Sequence, residues 1–151
     1  MSWLIDTNVL LRFADQRSPE HEIAVAAVEH LLATNNSVFI GAQVIVEFWA
    51  VATRPEPVNG LGWSAAATAD VIRALRDQFS ILDETPDVLE RWFELVGRCQ
   101  VIGKRAHDAR LASLLLVHGI QQLLTFNTSD FPPSWGVAAV HPGQLATDEH
   151  G

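Results

Sequence analysis

The chain has 151 residues, of which 48% are hydrophobic, and its formal net charge is −8. This length and composition fit one domain whose core is large enough to need no disulfide bonds. The single cysteine, Cys99, excludes an internal disulfide and a cysteine-based zinc site. The acidic balance also argues against a nucleic-acid-binding protein, unless several of the acids bind cations.

The sequence shows no targeting or membrane segment. The only apolar run near the amino terminus is interrupted by Asp6, and no basic region or cleavage site accompanies it. No apolar run approaches the length that is needed to span a bilayer. We therefore expect a soluble cytoplasmic protein that does not associate with membranes.

In the first half of the chain, short apolar runs alternate with helical patterns. Residues 3–6 predict a strand. A helix is predicted over 18–36, because Ser18 is a good helix cap and Pro19 suits the first helical position. The other elements predicted here are a strand over 37–42, an apolar helix over 43–53 and a Pro/Gly-rich loop over 54–63.

The second half continues the alternation. A helix is predicted from Ser64, which is expected to be its N-terminal cap, to about Gln78. Thr85 and Pro86 begin another helix, whose core-facing side is predicted from the i, i+3, i+4, i+7 pattern to be Leu89, Trp92, Phe93 and Val96. The remaining predictions are a short strand over 80–84, a helix over 106–119, and strands over 120–126 and 136–141.

Strands separated by helices require crossover connections. Such connections predict an α/β fold with a mainly parallel central sheet flanked by helices. We find no internal repeat and no linker, so a single domain is expected over residues 1–145. The last residues, 146–151, are expected to form a disordered tail.

The stretch "WLIDTNVLL" places three consecutive polar residues in a segment that is otherwise suited to burial. In open α/β sheets, functional residues gather beyond the carboxyl ends of the strands, where Asp6 is predicted to lie. Thr7 and Asn8 could bind its carboxylate or cap the next helical turn. For Asp6 alone, an ordinary strand-to-helix turn is the simpler interpretation.

Three other acids change this interpretation. Glu47 is the only charged residue of an apolar helix, although it could lie on a narrow solvated face. Asp108 falls in the first turn of a helix, where the helix dipole alone favours an anion. Asp130 follows the strand that ends near Thr125 and Asn127, where a polar turn would also be ordinary.

Together, these four acids come from separate segments near strand ends or helix starts. If they converge, their negative charges repel, and divalent cations are the simplest compensation. Oxygen ligands favour Mg²⁺ or Mn²⁺ over zinc. The pattern therefore suggests metal-assisted phosphodiester hydrolysis, in which one ion activates water and the same or a second ion stabilises the departing oxygen.

Four blocks of the sequence resemble the motifs of the PIN-domain family, and of the bacterial VapC-type toxins in particular. They are "LIDTNVLL", "VIVEFWAV", "KRAHDARLAS" and "LLTFNTSDF", and the resemblance extends from about residue 3 to about residue 141. It implies a Rossmann-like sheet and an endoribonuclease dependent on Mg²⁺ or Mn²⁺. It also implies a homodimer that acts as the toxin of a type II toxin–antitoxin system and is inhibited by a VapB-type antitoxin.

The resemblance carries residue roles with it. Asp6, Glu47 and Asp108 match the three core metal-binding acids of the family. Many relatives have a further acid where this chain has Asn127, so Asp130 is expected to be the fourth catalytic and metal-binding acid. The residues expected to orient carboxylates or water are Thr7, Asn8, Thr125 and Asn127.

Basic and aromatic residues are weaker candidates. Lys104, Arg105 and Arg12 could hold substrate phosphates, although solvated surface charge is the more ordinary explanation for each. Trp92 is expected in the core. Trp63 lies in the 54–63 loop, which could be a dimer contact, an RNA contact or a plain turn.

Two other functions remain open at this point. The chain could be a metal-dependent phosphohydrolase that acts on DNA or a nucleotide, or a non-catalytic module that binds RNA or a protein. An all-helical phosphohydrolase with a His107–Asp108 metal pair is disfavoured by the predicted strands.

Overall fold

A computed structural model describes residues 1–148, with side chains described through residue 145. Its centre is a five-stranded sheet in the order β3-β2-β1-β4-β5, and every neighbouring pair is parallel. Leu4 of the central strand pairs with Phe39 on one side and Leu123 on the other. The strands are β1 (Ser2–Ile5), β2 (Ser37–Gly41), β3 (Ser80–Leu82), β4 (Gln122–Leu124) and β5 (Ala138–Val140).

Seven α-helices are found within residues 1–148 and connect or follow the strands. They are α1 (Thr7–Ala14), α2 (His21–Ala33), α3 (Ala42–Thr53), α4 (Ala65–Gln78), α5 (Pro86–Arg98), α6 (Arg105–Val117) and α7 (Pro142–Asp148). Three short 3-10 helices lie at Glu56–Val58, Thr128–Asp130 and Pro133–Trp135. In this described part of the chain, no helix has the length and apolar character to span a membrane.

The predicted α/β architecture is confirmed. From β1 the chain builds outward through β2 and β3, then crosses back to place β4 and β5 on the other side of β1. The strand order therefore reverses between β1 and β4, and their carboxyl ends form the crevice in which ligands of such sheets usually bind. Asp6 and Thr125 immediately follow these two strands.

Two helix starts differ from the prediction. Helix α1 begins at Thr7, directly after β1, and was not among the predicted elements. Helix α2 begins at His21 instead of Ser18, because the Ser18 hydroxyl accepts a hydrogen bond from the Glu20 N–H (3.2 Å) and its carbonyl accepts one from the His21 N–H (3.1 Å). These bonds form a turn before the helix begins.

The chain terminus also differs in part. Helix α7 continues through Asp148, whereas a disordered tail was expected from residue 146. The rest of that expected tail, 149–151, lies outside the described residues. The extent of the single domain, 1–145, therefore stays a prediction.

The predicted core-facing side of α5 is wrong for two residues. Leu89 is 63% exposed and Phe93 is 70% exposed, whereas Val88 and Leu95 are buried. Trp92 is half-buried, and its indole N–H donates to the Ala106 carbonyl of α6 (2.8 Å). The apolar residues of this helix form one broad face, so spacing alone could not show which part of that face is covered by the core.

The 54–63 loop folds back on the end of α3. Backbone N–H groups of Leu61 and Trp63 donate to the carbonyls of Val51 (3.1 Å) and Ala52 (2.8 Å). The Trp63 ring packs edge-on against buried Phe48, with 6.1 Å between the ring centroids. These contacts form a turn that closes over the end of α3, and a role in a dimer or RNA contact stays a prediction.

Candidate active site

Asp6 lies at the carboxyl end of β1 and caps α1. Its Oδ1 accepts a hydrogen bond from the Thr7 N–H (2.7 Å), and its own N–H donates to the Leu124 carbonyl of β4 (2.9 Å). The residue is only 8% exposed. The strand-to-helix turn thus holds a buried carboxylate at the crevice where the sheet order reverses.

Thr125 and Asn8 complete the support of Asp6. The Thr125 hydroxyl donates to Asp6 Oδ2 (2.8 Å) and accepts from Asn8 Nδ2 (3.1 Å) and from the Asn127 N–H (3.1 Å). Asn8 Nδ2 also lies 3.3 Å from Asp6 Oδ2, and Asn8 Oδ1 accepts from the Phe126 N–H (2.9 Å). This network joins the end of β1 to the end of β4, and it fixes the direction of the Asp6 carboxylate.

Glu47 reaches the same crevice from α3. Its Oε2 accepts a hydrogen bond from the Thr7 hydroxyl (2.7 Å), and its Oε1 accepts one from Gln43 Nε2 (3.1 Å). Thr7 therefore touches two of the four predicted acids, through its N–H to Asp6 and through its hydroxyl to Glu47. The lone acid of an apolar helix is thus tied to the first turn of α1.

Asp108 and Asp130 belong to two further segments of the chain. Asp108 is half-buried in the first turn of α6, and Asp130 ends the 3-10 helix Thr128–Asp130. Arg105 joins these segments, because its Nη2 donates to the Asp130 carbonyl (2.9 Å) and its guanidinium lies 5.1 Å from the Trp135 ring centroid. Within residues 1–148, neither the Asp108 nor the Asp130 carboxylate accepts a hydrogen bond, in contrast to Asp6 and Glu47.

Asp6 and Asp108 have raised pKa values, and neighbouring acids contribute to both shifts. Burial raises the pKa of Asp6 from 3.8 to about 6, against hydrogen bonds from Thr125 and Thr7 that lower it. The negative charges of Glu47 and Asp108 raise the pKa of Asp6 further.

The pKa of Asp108 is also raised. Burial is the largest cause, and the negative charge of Asp130 is the next, while the positive charge of Arg105 lowers this pKa. The acids are therefore close enough to share one electrostatic environment.

The chemistry of this site suits a hard divalent cation. Its donors are carboxylate, hydroxyl and amide oxygens, and none of the four carboxylates forms an ion pair within residues 1–148. In that same range, no three acidic, histidine or cysteine side chains are already arranged to enclose a metal ion. An ion here would keep water between itself and some of the carboxylates, as Mg²⁺ commonly does.

Two of the three predicted basic residues, Arg12 and Arg105, already have partners within the protein. Arg12 donates to the Asn8 carbonyl (2.8 Å) and to Glu20 (2.8 Å). Lys104 is exposed immediately before α6. Of these residues, Arg105 lies close enough to affect the pKa of Asp108. Contacts of these residues with phosphates stay a prediction.

Two of the site's neighbours were not predicted from the sequence. Gln43 is buried, and its side chain binds both Glu47 and the His107 carbonyl. Arg110 in turn binds Gln43. Gln43 precedes Glu47 by one helical turn in an otherwise apolar helix, and this spacing is the signal that could have identified it.

Other predicted residues have limited roles in the geometry. Asn127 contributes its backbone N–H to Thr125, and its side chain is exposed. His107 is exposed and offers its carbonyl to Gln43. The parallel sheet excludes the all-helical phosphohydrolase alternative for the His107–Asp108 pair.

Residues 3–132 match the sequence model of the PIN domain, a range that includes all four acids. The chain belongs to the PIN-domain family. It is 30% identical over 129 residues to Ribonuclease VapC24 of Mycobacterium tuberculosis, across 84% of this chain and 87% of that relative. The family resemblance that the four sequence blocks predicted is therefore confirmed.

Solved structures give the same fold assignment. This PIN domain superposes on a chain of VapBC2 from Rickettsia felis, crystallised with a DNA fragment from its promoter, with a TM-score of 0.70 and 17% identity. That match covers 93% of this chain and 98% of the other. A toxin–antitoxin complex from Klebsiella pneumoniae matches with a TM-score of 0.62 and 23% identity, over 92% of this chain and 96% of that one.

Proposed function

We propose that this PIN-domain protein is an endoribonuclease that depends on Mg²⁺ or Mn²⁺ and acts as the toxin of a toxin–antitoxin pair. The observation that carries the proposal is that Thr7, at the start of α1, binds two acids from different elements, Asp6 through its N–H and Glu47 through its hydroxyl. A carboxylate buried at the end of β1 has its pKa raised further by Glu47 and Asp108, which come from two other elements. The relationship to Ribonuclease VapC24 supports RNA as the substrate class.

The metal would be held by Asp6, Glu47, Asp108 and Asp130. Such an ion, when bound, supplies a Lewis acid that activates water at neutral pH and stabilises negative charge on the departing oxygen. Asp6 and Glu47 are already oriented by Thr7 and Thr125, whereas Asp108 and Asp130 keep their carboxylates free of hydrogen bonds within the described chain. The cation would offset the repulsion that these carboxylates exert on one another.

The surrounding basic residues would bind RNA. Arg105 and Arg12 each use some of their five N–H donors within the protein and retain others for substrate phosphates. Lys104, exposed beside Arg105, adds a further charge. A local basic border would allow a chain of net charge −8 to bind a polyanion next to its acids.

The solved structures that share this fold suggest the partners. They include toxin–antitoxin complexes, so we propose a VapB-type antitoxin that covers the crevice. We also propose that the active toxin is a homodimer, as the family resemblance implies. Size-exclusion chromatography with light scattering, on the chain alone and after coexpression with the antitoxin encoded beside it, tests both assemblies.

The test of the activity compares the wild-type protein with Asp6→Ala prepared in the same way. Each is incubated with structured RNA, single-stranded DNA and a nucleotide, in Mn²⁺ and in EDTA. Cleavage of RNA alone, by the wild type alone and only with Mn²⁺, is the expected result. Preferential cleavage of DNA or the nucleotide would favour a different phosphohydrolase.

Equal behaviour of the two proteins would contradict the catalytic proposal. Retained RNA or antitoxin binding without cleavage of any substrate would favour the non-catalytic module. Induced expression in a bacterium, followed by sequencing of RNA ends, would identify the cleaved RNA. Growth arrest and new ends are expected with the wild type and not with Asp6→Ala.

A further inference from the structure

A line of hydrogen bonds leads from the end of β3 to the acid cluster. Glu84, two residues after β3, forms an ion pair with Arg110 (Oε1 to Nη2, 3.1 Å). Arg110 Nη1 donates to Gln43 Oε1 (3.0 Å), and Gln43 Nε2 donates to Glu47 Oε1 (3.1 Å). Residues from three separate parts of the fold are thus joined to one carboxylate of the site.

The Gln43 amide uses both of its donors and one acceptor position in this arrangement. Its two N–H donors go to Glu47 Oε1 and to the His107 carbonyl (3.0 Å), and its oxygen accepts from Arg110. The guanidinium can only donate, so it fixes which end of the amide faces Glu47. Because His107 directly precedes Asp108, the same amide links the helix that carries Glu47 to the first turn that carries Asp108.

We propose that Gln43, held by Arg110 and Glu84, is a positioning residue that sets Glu47 relative to Asp108 for divalent-cation binding. This inference rests on the proposed function, because it assumes that Glu47 and Asp108 share the cation. Gln43 does not touch the substrate. Its contribution is to the affinity of the metal site.

An amide between Arg110 and Glu47 suits a metal site better than a direct ion pair. A guanidinium that bound Glu47 directly would occupy the carboxylate and compete with the cation. The amide instead takes one acceptor position on Oε1, as the Thr7 hydroxyl does on Oε2. Since an ionised carboxylate offers about four acceptor positions, each oxygen of Glu47 keeps one for a cation.

The decisive measurement is Mn²⁺ binding by isothermal titration calorimetry, with Gln43→Met as the first variant. Methionine has a similar length and cannot form these hydrogen bonds. We expect Mn²⁺ to bind ~10–100-fold more weakly, as is typical when a residue that orients a metal ligand is lost. RNA cleavage should fall at limiting Mn²⁺ and recover at saturating Mn²⁺, because the defect lies in metal affinity.

Arg110 supplies a second variant that does not open the core, because its side chain is partly exposed. Arg110→Met should weaken Mn²⁺ binding less than Gln43→Met, and Arg110→Lys should restore part of the affinity by keeping the charge and one donor. The matched control is Ser113→Ala, which removes a buried hydrogen bond from the Ser113 hydroxyl to the Ala109 carbonyl on the same helix as Asp108. This control should leave Mn²⁺ affinity unchanged.

The possible outcomes separate this inference from the proposed function. A wild type that binds Mn²⁺ and cleaves RNA, with unchanged Mn²⁺ affinity in Gln43→Met and Arg110→Met, would overturn the positioning role alone. Lower thermal stability of the metal-free variants with unchanged affinity would also overturn it, since that result indicates a purely structural role. A wild type that neither binds Mn²⁺ nor cleaves RNA would overturn both.

Discussion

The two halves of the acid cluster are held very differently. Asp6 and Glu47 accept five hydrogen bonds between them, from Thr7, Asn8, Thr125 and Gln43. Asp108 and Asp130 accept none within residues 1–148, and each lies in a first turn or a one-turn helix. Asp6 and Glu47 are therefore oriented by hydrogen bonds and form the held half of the cluster. Asp108 and Asp130, whose carboxylates are not held in this way within the described residues, form the adjustable half.

This difference is informative about a metal site. If all four carboxylates were fixed close together, their mutual repulsion would destabilise the folded protein when no cation is bound. Fixing two acids and leaving two adjustable retains a defined position for the cation while limiting that repulsion in its absence. Substitutions in each half test whether the held half sets the affinity for Mn²⁺ and the adjustable half contributes less.

The largest effect is expected from Asp6→Ala, which removes the centre of the held half. RNA cleavage should fall by more than ~100-fold, beyond the loss that is typical for residues that only orient a metal ligand. The free energy of unfolding of the metal-free variant should not fall to a comparable extent, because the substitution also removes a buried charge. Cleavage rates and urea denaturation in EDTA measure the two quantities. Activity close to that of the wild type would remove Asp6 from the mechanism.

Thr125→Val tests the support of Asp6 while keeping the side-chain shape. The hydroxyl lost is fully buried, donates to Asp6 and accepts from Asn8 and the Asn127 N–H. The unpaired donors should lower the free energy of unfolding by about 1–3 kcal/mol. Mn²⁺ should bind ~10-fold more weakly or worse. Denaturation measures the free energy of unfolding, and calorimetry measures Mn²⁺ binding. The control is Thr53→Val, which removes an exposed hydroxyl on α3.

The raised pKa of Asp6 predicts how the stability of the metal-free protein depends on pH. The folded form holds this proton to about pH 6, whereas the unfolded chain releases it near 3.8, so folding stability from this group decreases as pH rises through that window. Between pH 5 and pH 7 the loss should be about 1 kcal/mol. Urea denaturation in EDTA, comparing the wild type with Asp6→Asn, isolates the contribution. An identical pH dependence in the two proteins would contradict the assignment.

The sequence predicted the sheet well because strands depend on local patterns, and the metal-binding role of the four acids stays a prediction. Each strand is a short apolar run between helices, and Asp6 follows its strand directly, so topology placed it at the crevice. Ser64 was predicted as a cap, and its hydroxyl accepts from the Ala67 N–H (3.1 Å). These features need no knowledge of distant partners.

The misses depend on contacts between distant residues. Arg110 and Gln43 are 67 positions apart, and no local pattern pairs an arginine with one amide among many. Leu89 and Phe93 lie on the same broad apolar face as the buried Val88 and Leu95, so packing against α6 decides which part of that face is covered. The pattern showed that α5 is amphipathic but not which part of its apolar face is buried.

The smallest effect is expected from Asp130→Asn, in the adjustable half. Removing this charge relieves one cause of the raised pKa of Asp108, and within the described chain no hydrogen bond to the Asp130 carboxylate is lost. Mn²⁺ affinity should therefore fall by less than the ~10-fold typical of a lost orienting residue, and stability should hardly change. Calorimetry and denaturation alongside Thr125→Val give the ranking. A larger loss of affinity from Asp130→Asn than from Thr125→Val would mean that the free carboxylates, and not the held ones, determine how tightly the cation binds.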